Sequence, residues 1–180
     1  MGRDKALVEV GGRQMWEWVR TALEPVCERV VAAGRPDGLG SVEGLADPDD
    51  GRRGPLAGLV SALRAARSSP VMLVATDQPW VRVQTLEGLV SSFHDLPVVP
   101  ISTDGSRQTT CALFPPGVLS VALDELLADG SIQSVLDRTA FDQIEEDQWR
   151  TWGEDGRSWF SVDTPDALKA GLQRYGVPTG

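Results

Sequence analysis

The chain has 180 residues, 41% hydrophobic and 24% charged, and its 26 acidic against 17 basic side chains give a formal net charge of −9. That length is ordinary for one domain and enough to bury a real core, so a single domain over 1–180 is expected. The acid surplus argues against nucleic acid or an anionic membrane as partner, because both need clustered Lys and Arg. No apolar run approaches the ~20 residues that span a bilayer, and Gly2, Arg3, Asp4 and Lys5 do not begin a signal-peptide core. A soluble, cytoplasmic protein is expected. Cys27 and Cys111 are too few for a disulfide framework or a zinc site and read as small buried hydrophobes, and the lone His94 removes any site needing two histidines. Chemistry is left to carboxylates, Lys, Arg and backbone.

In chain order, residues 30–33 form a short apolar strand ended by Gly34. The Gly/Asp/Pro-rich stretch 34–54 reads as a long functional or connecting loop. Pro55 opens a helix in which Leu59, Val60 and Leu63 follow Leu56 at offsets of three, four and seven. Residues 71–75 form a continuous apolar run, the pattern of a strand buried on both faces, which stops at Thr76-Asp77-Gln78-Pro79. Val83, Leu86, Leu89, Val90 and Phe93 repeat the helical spacing, and 97–101 is another strand. This alternation implies an α/β fold, a mostly parallel sheet with helices on both faces. Beyond the Asp104-Gly105 turn come a strand at 109–114 and a helix at 119–127 closed by Gly130. The charged, Trp-bearing stretch 145–157 reads as a second long loop. Thr164-Pro165-Asp166 then caps a helix running to about Tyr175.

In open α/β sheets ligands bind beyond the carboxyl ends of the strands. Asp77, directly after the most apolar strand, is placed to hold a hard cation such as Mg²⁺, or else to cap the Pro79 turn. Gly54-Pro55-Leu56-Ala57-Gly58 sits at a helix N-terminus, where free N–H groups suit an acceptor-rich ligand, although a tight turn would account for it equally. Lys5 with Arg3 is either a phosphate-neutralising pair or a solvated tail. Asp163 either caps the last helix or joins Asp77 as a second metal carboxylate. The six Trp residues read as packing anchors.

Taken together and in this order, these clusters resemble the molybdenum cofactor guanylyltransferase family, a nucleotidyltransferase group with a Rossmann-like sheet. The resemblance rests on Met1-Gly2-Arg3-Asp4-Lys5, Gly54 to Gly58, Asp77-Gln78-Pro79, Asp104 to Gln108, and Ser161 to Pro165. It implies that Lys5 clamps nucleotide phosphate and that Asp77 binds the metal and acts in catalysis. It further implies nucleotide contacts at Gly34, Asp47, Gly54, Pro55, Leu56 and Gly58, with Asp49 and Asp50 crowding the same loop as Asp47. Two departures stand out. Ser161 and Asp163 replace the Asn residues of many members, which favours Asp163 as a metal ligand. The Gly-rich half of the opening signature is also missing, so a first, central strand is expected to be absent.

The implied reaction is GMP transfer from GTP onto the terminal phosphate of molybdopterin, with release of pyrophosphate and with Mg²⁺ as cofactor. Proteins that deliver the cofactor or mature molybdoenzymes are the expected transient partners. The alternatives are a cytidylyl- or sugar-phosphate nucleotidyltransferase of the same fold, or a non-catalytic remnant that binds cofactor or a partner. The acidity sharpens the role of cations: small polyanionic substrates require the field to be reversed locally by Mg²⁺, Lys5, Arg3, Arg52, Arg53 and Arg107.

Overall fold

The computed structural model describes residues 5–48 and 54–179. After a single 3₁₀ turn, Lys5–Leu7, the chain forms an antiparallel hairpin of β1 (Glu9–Val10) and β2 (Arg13–Gln14) around the Gly11-Gly12 turn, then α1 (Met15–Leu23). Next come β3 (Val31–Ala33), β4 (Glu43–Leu45), α2 (Pro55–Ala66), β5 (Val71–Val74) and α3 (Val83–Ser91). The second half holds β6 (Val98–Pro100), β7 (Cys111–Phe114), α4 (Leu119–Leu127), α5 (Ile132–Asp137), β8 (Asp142–Ile144), α6 (Glu146–Thr151) and α7 (Pro165–Tyr175).

The central sheet has the order β5-β7-β6-β8. β6 and β8 pair in parallel, whereas β7 runs against both of its neighbours, so β5, β6 and β8 share one direction and β7 is the exception. The period-2 alternation of the strands sorts the core into two layers. Val99, Ala112 and Phe114 meet α2, α4 and α5 on one face, while Val98, Cys111, Leu113 and Ile144 meet α1, α3 and Trp149 of α6 on the other. This is the α/β arrangement expected from strand and helix alternation. Among the described residues no helix is long and apolar enough to cross a membrane.

The two-stranded parallel sheet β3-β4 stands apart from the central one. Between β3 and β5 lies a cavity of about 750 Å³, floored by the two strands and walled by small α2 residues such as Gly58 and Ala62 on one side and by Leu23 and Phe93 on the other. The sheet is thus divided, with β3 and β4 separate from the four central strands. The apolar run at Val71–Val74 is only half-buried, while β6 and β7 are fully buried, because both faces of β5 are covered but one edge opens onto the cavity.

Helix ends follow local chemistry. Thr164 Oγ1 accepts from Ala167 N at 3.0 Å and caps α7 as expected. At the end of α4 the left-handed residue is Asp129 (φ 55°), not Gly130, which instead donates its N–H to Glu125 O at 2.8 Å. That corrects the reading of Gly130 as the cap: the two residues share a Schellman closure, and Asp tolerates the left-handed position. The two stretches read as loops each contain structure, β4 in one and α6 in the other. Cys111 is buried and Cys27 half-buried, and burial raises the pKa of both thiols.

Ala75 N bonds to Thr110 O, so by alternation Leu73 and Val71 face β7, while Met72 and Val74 turn their backbone groups toward the cavity. In amide hydrogen exchange Met72 and Val74 should therefore exchange at least about tenfold faster than Leu73 and Ala112. Leu59→Ala, at a fully buried position between α2 and the sheet, should cost about 2–5 kcal/mol in denaturant unfolding. Thr164→Ala should cost about 1 kcal/mol in the same assay.

Candidate active site

The site begins where β5 ends. Gln78, 2% exposed, brackets the turn: its Oε1 accepts from Ala75 N and its Nε2 donates to Thr110 Oγ1, both at 3.2 Å. Asp77 is thereby held at the carboxyl end of the strand. Three residues on from Asp77, Trp80 is buried edge-on against Phe160, with ring centroids 5.7 Å apart, and donates its indole N–H to Gly176 O at 2.8 Å. Phe160 leads into the segment that carries Asp163. Val162 N donates to Asp77 O at 2.8 Å, so Asp163 follows directly beside Asp77.

Lys5 enters the same place from the start of the chain. Its Nζ donates to Asp163 Oδ1 and lies 3.9 Å from Asp77 Oδ2. The hydrogen bond from Lys5 holds the Asp163 carboxyl below the usual carboxylate range, and the same bond, with the charges of Asp163 and Asp77, raises Lys5. The Lys5 and Asp163 side chains are 43% and 61% exposed. An ion pair this exposed adds little to stability. Its significance is chemical, because a cationic group already sits against two carboxylates that arrive from distant parts of the chain.

That arrangement fits a divalent metal. Hard carboxylate oxygens suit Mg²⁺, which usually takes one or two protein carboxylates and completes its shell with water and substrate phosphate. Asp77 and Asp163 provide that number, and the seat taken by Lys5 shows that the position accepts positive charge. Among the described residues no group of three or more His, Cys, Asp or Glu side chains gathers as a self-sufficient metal cage.

The second part of the site is the start of α2. Gly54 caps it at φ 108°, a conformation that favours glycine, and Pro55 occupies the first helical position. Gly54, Pro55, Gly58 and Asp77 all line the cavity between β3 and β5. Leu56 is 5% exposed and packs in the core, so a ligand could meet only its backbone. Gly34, at φ 76°, is adjacent to Asp47: a Cβ added at Gly34 would stand 3.1 Å from Asp47 Oδ1. These two residues, assigned to nucleotide contact from sequence, are thus neighbours in space.

Not every cation assigned to the site converges there. Arg107 pairs with Asp137 of α5 and lies over the Phe141 ring. Arg3, Arg52, Arg53, Asp49 and Asp50 fall outside the described residues. Sequence reasoning did not single out Gln78 or Glu154 as supports. Gln78 carried a readable signal in its place next to Asp77, whereas Glu154 lay in an undifferentiated run of charge.

Comparison with known proteins shows the family and the fold. The family described as the MobA-like NTP transferase domain matches residues 1–144. A molybdenum cofactor guanylyltransferase from Pseudomonas putida is 31% identical, over 93% of this chain and 88% of the relative. A probable molybdenum cofactor guanylyltransferase from Bacillus licheniformis is also 31% identical, over 81% and 78%. Among solved structures, molybdopterin-guanine dinucleotide biosynthesis protein A from Archaeoglobus fulgidus has a similar fold, with a TM-score of 0.78 at 22% identity, covering 96% of this chain and 90% of that one. The 2-C-methyl-D-erythritol 4-phosphate cytidylyltransferase from Thermus thermophilus shares the fold at a TM-score of 0.66 and 19% identity, over 94% and 92%. With an α/β sheet, a lysine and two carboxylates at the end of its edge strand, and these relatives, the chain is a nucleotidyltransferase that belongs to the molybdenum cofactor guanylyltransferase family.

Proposed function

We propose that the chain transfers GMP from GTP to the terminal phosphate of molybdopterin and releases pyrophosphate. The observation that carries this reading is the convergence of Lys5, Asp77 and Asp163 beside the cavity that Gly54, Pro55 and Gly58 line. The names of the relatives support the choice of GTP and of the pterin acceptor.

The chemistry asks little of acid–base groups. A phosphate monoester has its second pKa at about 6, so the attacking oxygen is largely ionised at neutral pH and no general base is needed. Catalysis then rests on positioning and on neutralising charge. Lys5 exchanges its carboxylate partner for nucleotide phosphate and steadies the charge that accumulates on the leaving pyrophosphate. Asp77 and Asp163 hold Mg²⁺ when it is bound, and the ion supplies Lewis-acid neutralisation of phosphate oxygens. The N-terminal turn of α2 offers backbone N–H groups to the nucleotide, with Gly54 and Gly58 permitting close approach. Asp47, beside Gly34, presents an acceptor to the base or the ribose.

A second reading, transfer of CMP, is favoured by the cytidylyltransferase likeness of the fold. Thermal shift with Mg²⁺ separates the two: stabilisation by GTP and not by CTP is expected, and the reverse would favour the second reading. Asp77→Ala should lower turnover of GTP and molybdopterin at least about a hundredfold with the circular dichroism spectrum unchanged. Retained Mg²⁺-dependent turnover in that variant would remove Asp77 from the reaction.

A further inference from the structure

We infer that Glu154 is a positioning residue: its buried carboxylate clamps the segment 154–163 onto the start of α3 and so sets where Asp163 stands relative to Asp77. The functional half of this inference rests on the reading of Asp77 and Asp163 as metal ligands. Glu154 is 3% exposed. Its Oε1 accepts from the backbone N–H groups of Asp155 (2.9 Å), Gly156 (2.7 Å) and Ser158 (3.3 Å), and its Oε2 accepts from the hydroxyls of Thr85 and Ser158. A carboxylate folded back onto the N–H groups of its own loop is an anion in a backbone nest. Buried charge is tolerated only with such donors, so the loop conformation and the carboxylate require each other.

The clamp also crosses between elements. Thr85 belongs to α3, and Ser158 Oγ accepts from Arg82 N, the residue that precedes α3, at 3.1 Å. Arg82 Nη1 adds a bond to Gly153 O. Residues 82–85 come directly after the Asp77 turn, so Glu154 ties the Asp163 segment to the same stretch of chain that carries Asp77. From Ser158 the segment passes Trp159, set edge-on to Trp149 at 5.3 Å, and Phe160 against Trp80, and reaches Val162 and its bond to Asp77 O. The charge of Glu154 also reaches Cys111 of β7 and, after burial, contributes to keeping that thiol protonated.

The test reads the Val162 amide by hydrogen exchange and Mn²⁺ binding by electron paramagnetic resonance, on the purified chain with Mn²⁺ alone. In Glu154→Ala the Val162 amide should exchange about tenfold faster and Mn²⁺ should bind about tenfold more weakly. Glu154→Gln keeps an acceptor for the three N–H groups and faces its amide to two adaptable hydroxyls, so both readouts should return to within about threefold of wild type. If Glu154→Ala fails to fold, Thr85→Val decides: it removes one hydroxyl donor without opening a cavity, and Val162 exchange should rise about threefold. Val162 exchange unchanged in Glu154→Ala, or in Thr85→Val, overturns the clamp. Mn²⁺ affinity unchanged in Asp77→Ala overturns instead the metal-ligand reading on which the functional half depends.

Discussion

The hydrogen bond from Val162 N to Asp77 O, 2.8 Å long, is the contact on which the site depends. It joins the loop after β5 to the approach to α7, and so brings together two carboxylates that belong to distant parts of the chain. A backbone bond serves this purpose better than a side-chain pair because neither partner has rotamers to lose. On each side of it the chain is braced: by the buried Gln78 and Trp80 on the Asp77 side, and by the half-buried Phe160 and the loop of the buried Glu154 on the other. Lys5 can then reach both carboxylates from the 3₁₀ turn Lys5–Leu7. Without this alignment the three charged groups would be isolated surface residues of an acidic protein.

The divided sheet is the second constraint. Helices cover both faces of β5, yet its outward edge meets a cavity where β3 stands on the far side. The site is built around this opening, with Asp77 and the start of α2 along its margin. The same opening leaves the most apolar strand of the chain half-buried. The elements that position the site are therefore less enclosed than β6 and β7, which are buried on both faces and at both edges.

Much of this was legible in the sequence, for identifiable reasons. The 3.6-residue apolar period located α2, α3 and α4, and continuous apolar runs located β3 and β5, since each has an apolar pattern dictated by the layer it faces. Thr164-Pro165 marked the start of α7 because capping chemistry is local. Short elements escaped. β4 lies in a Gly- and Asp-rich stretch, and α6 in a run of charge, with only Trp149 turned inward. The apolar run at 71–74 packs on both faces as its pattern predicts, but it is only half-buried, because apolarity carries no information about an open edge. Within the site, Asp77, Asp163 and Lys5 were recognisable by residue type and place. Their mutual contact was not, because it arises from long-range packing by Trp80 and Phe160 and from the internal hydrogen bonds of Glu154, none of which leaves a periodic trace.

We propose that Asp77 and Asp163 form one cation site that Lys5 vacates when substrate and metal arrive. Anomalous diffraction at the manganese edge, from crystals of the chain grown with Mn²⁺ and GTP, tests it most directly. A single strong peak beside Asp77 and Asp163 is expected, with Lys5 Nζ turned to nucleotide phosphate. A peak remote from Asp77, or Lys5 still paired with Asp163 while nucleotide is bound, would contradict it.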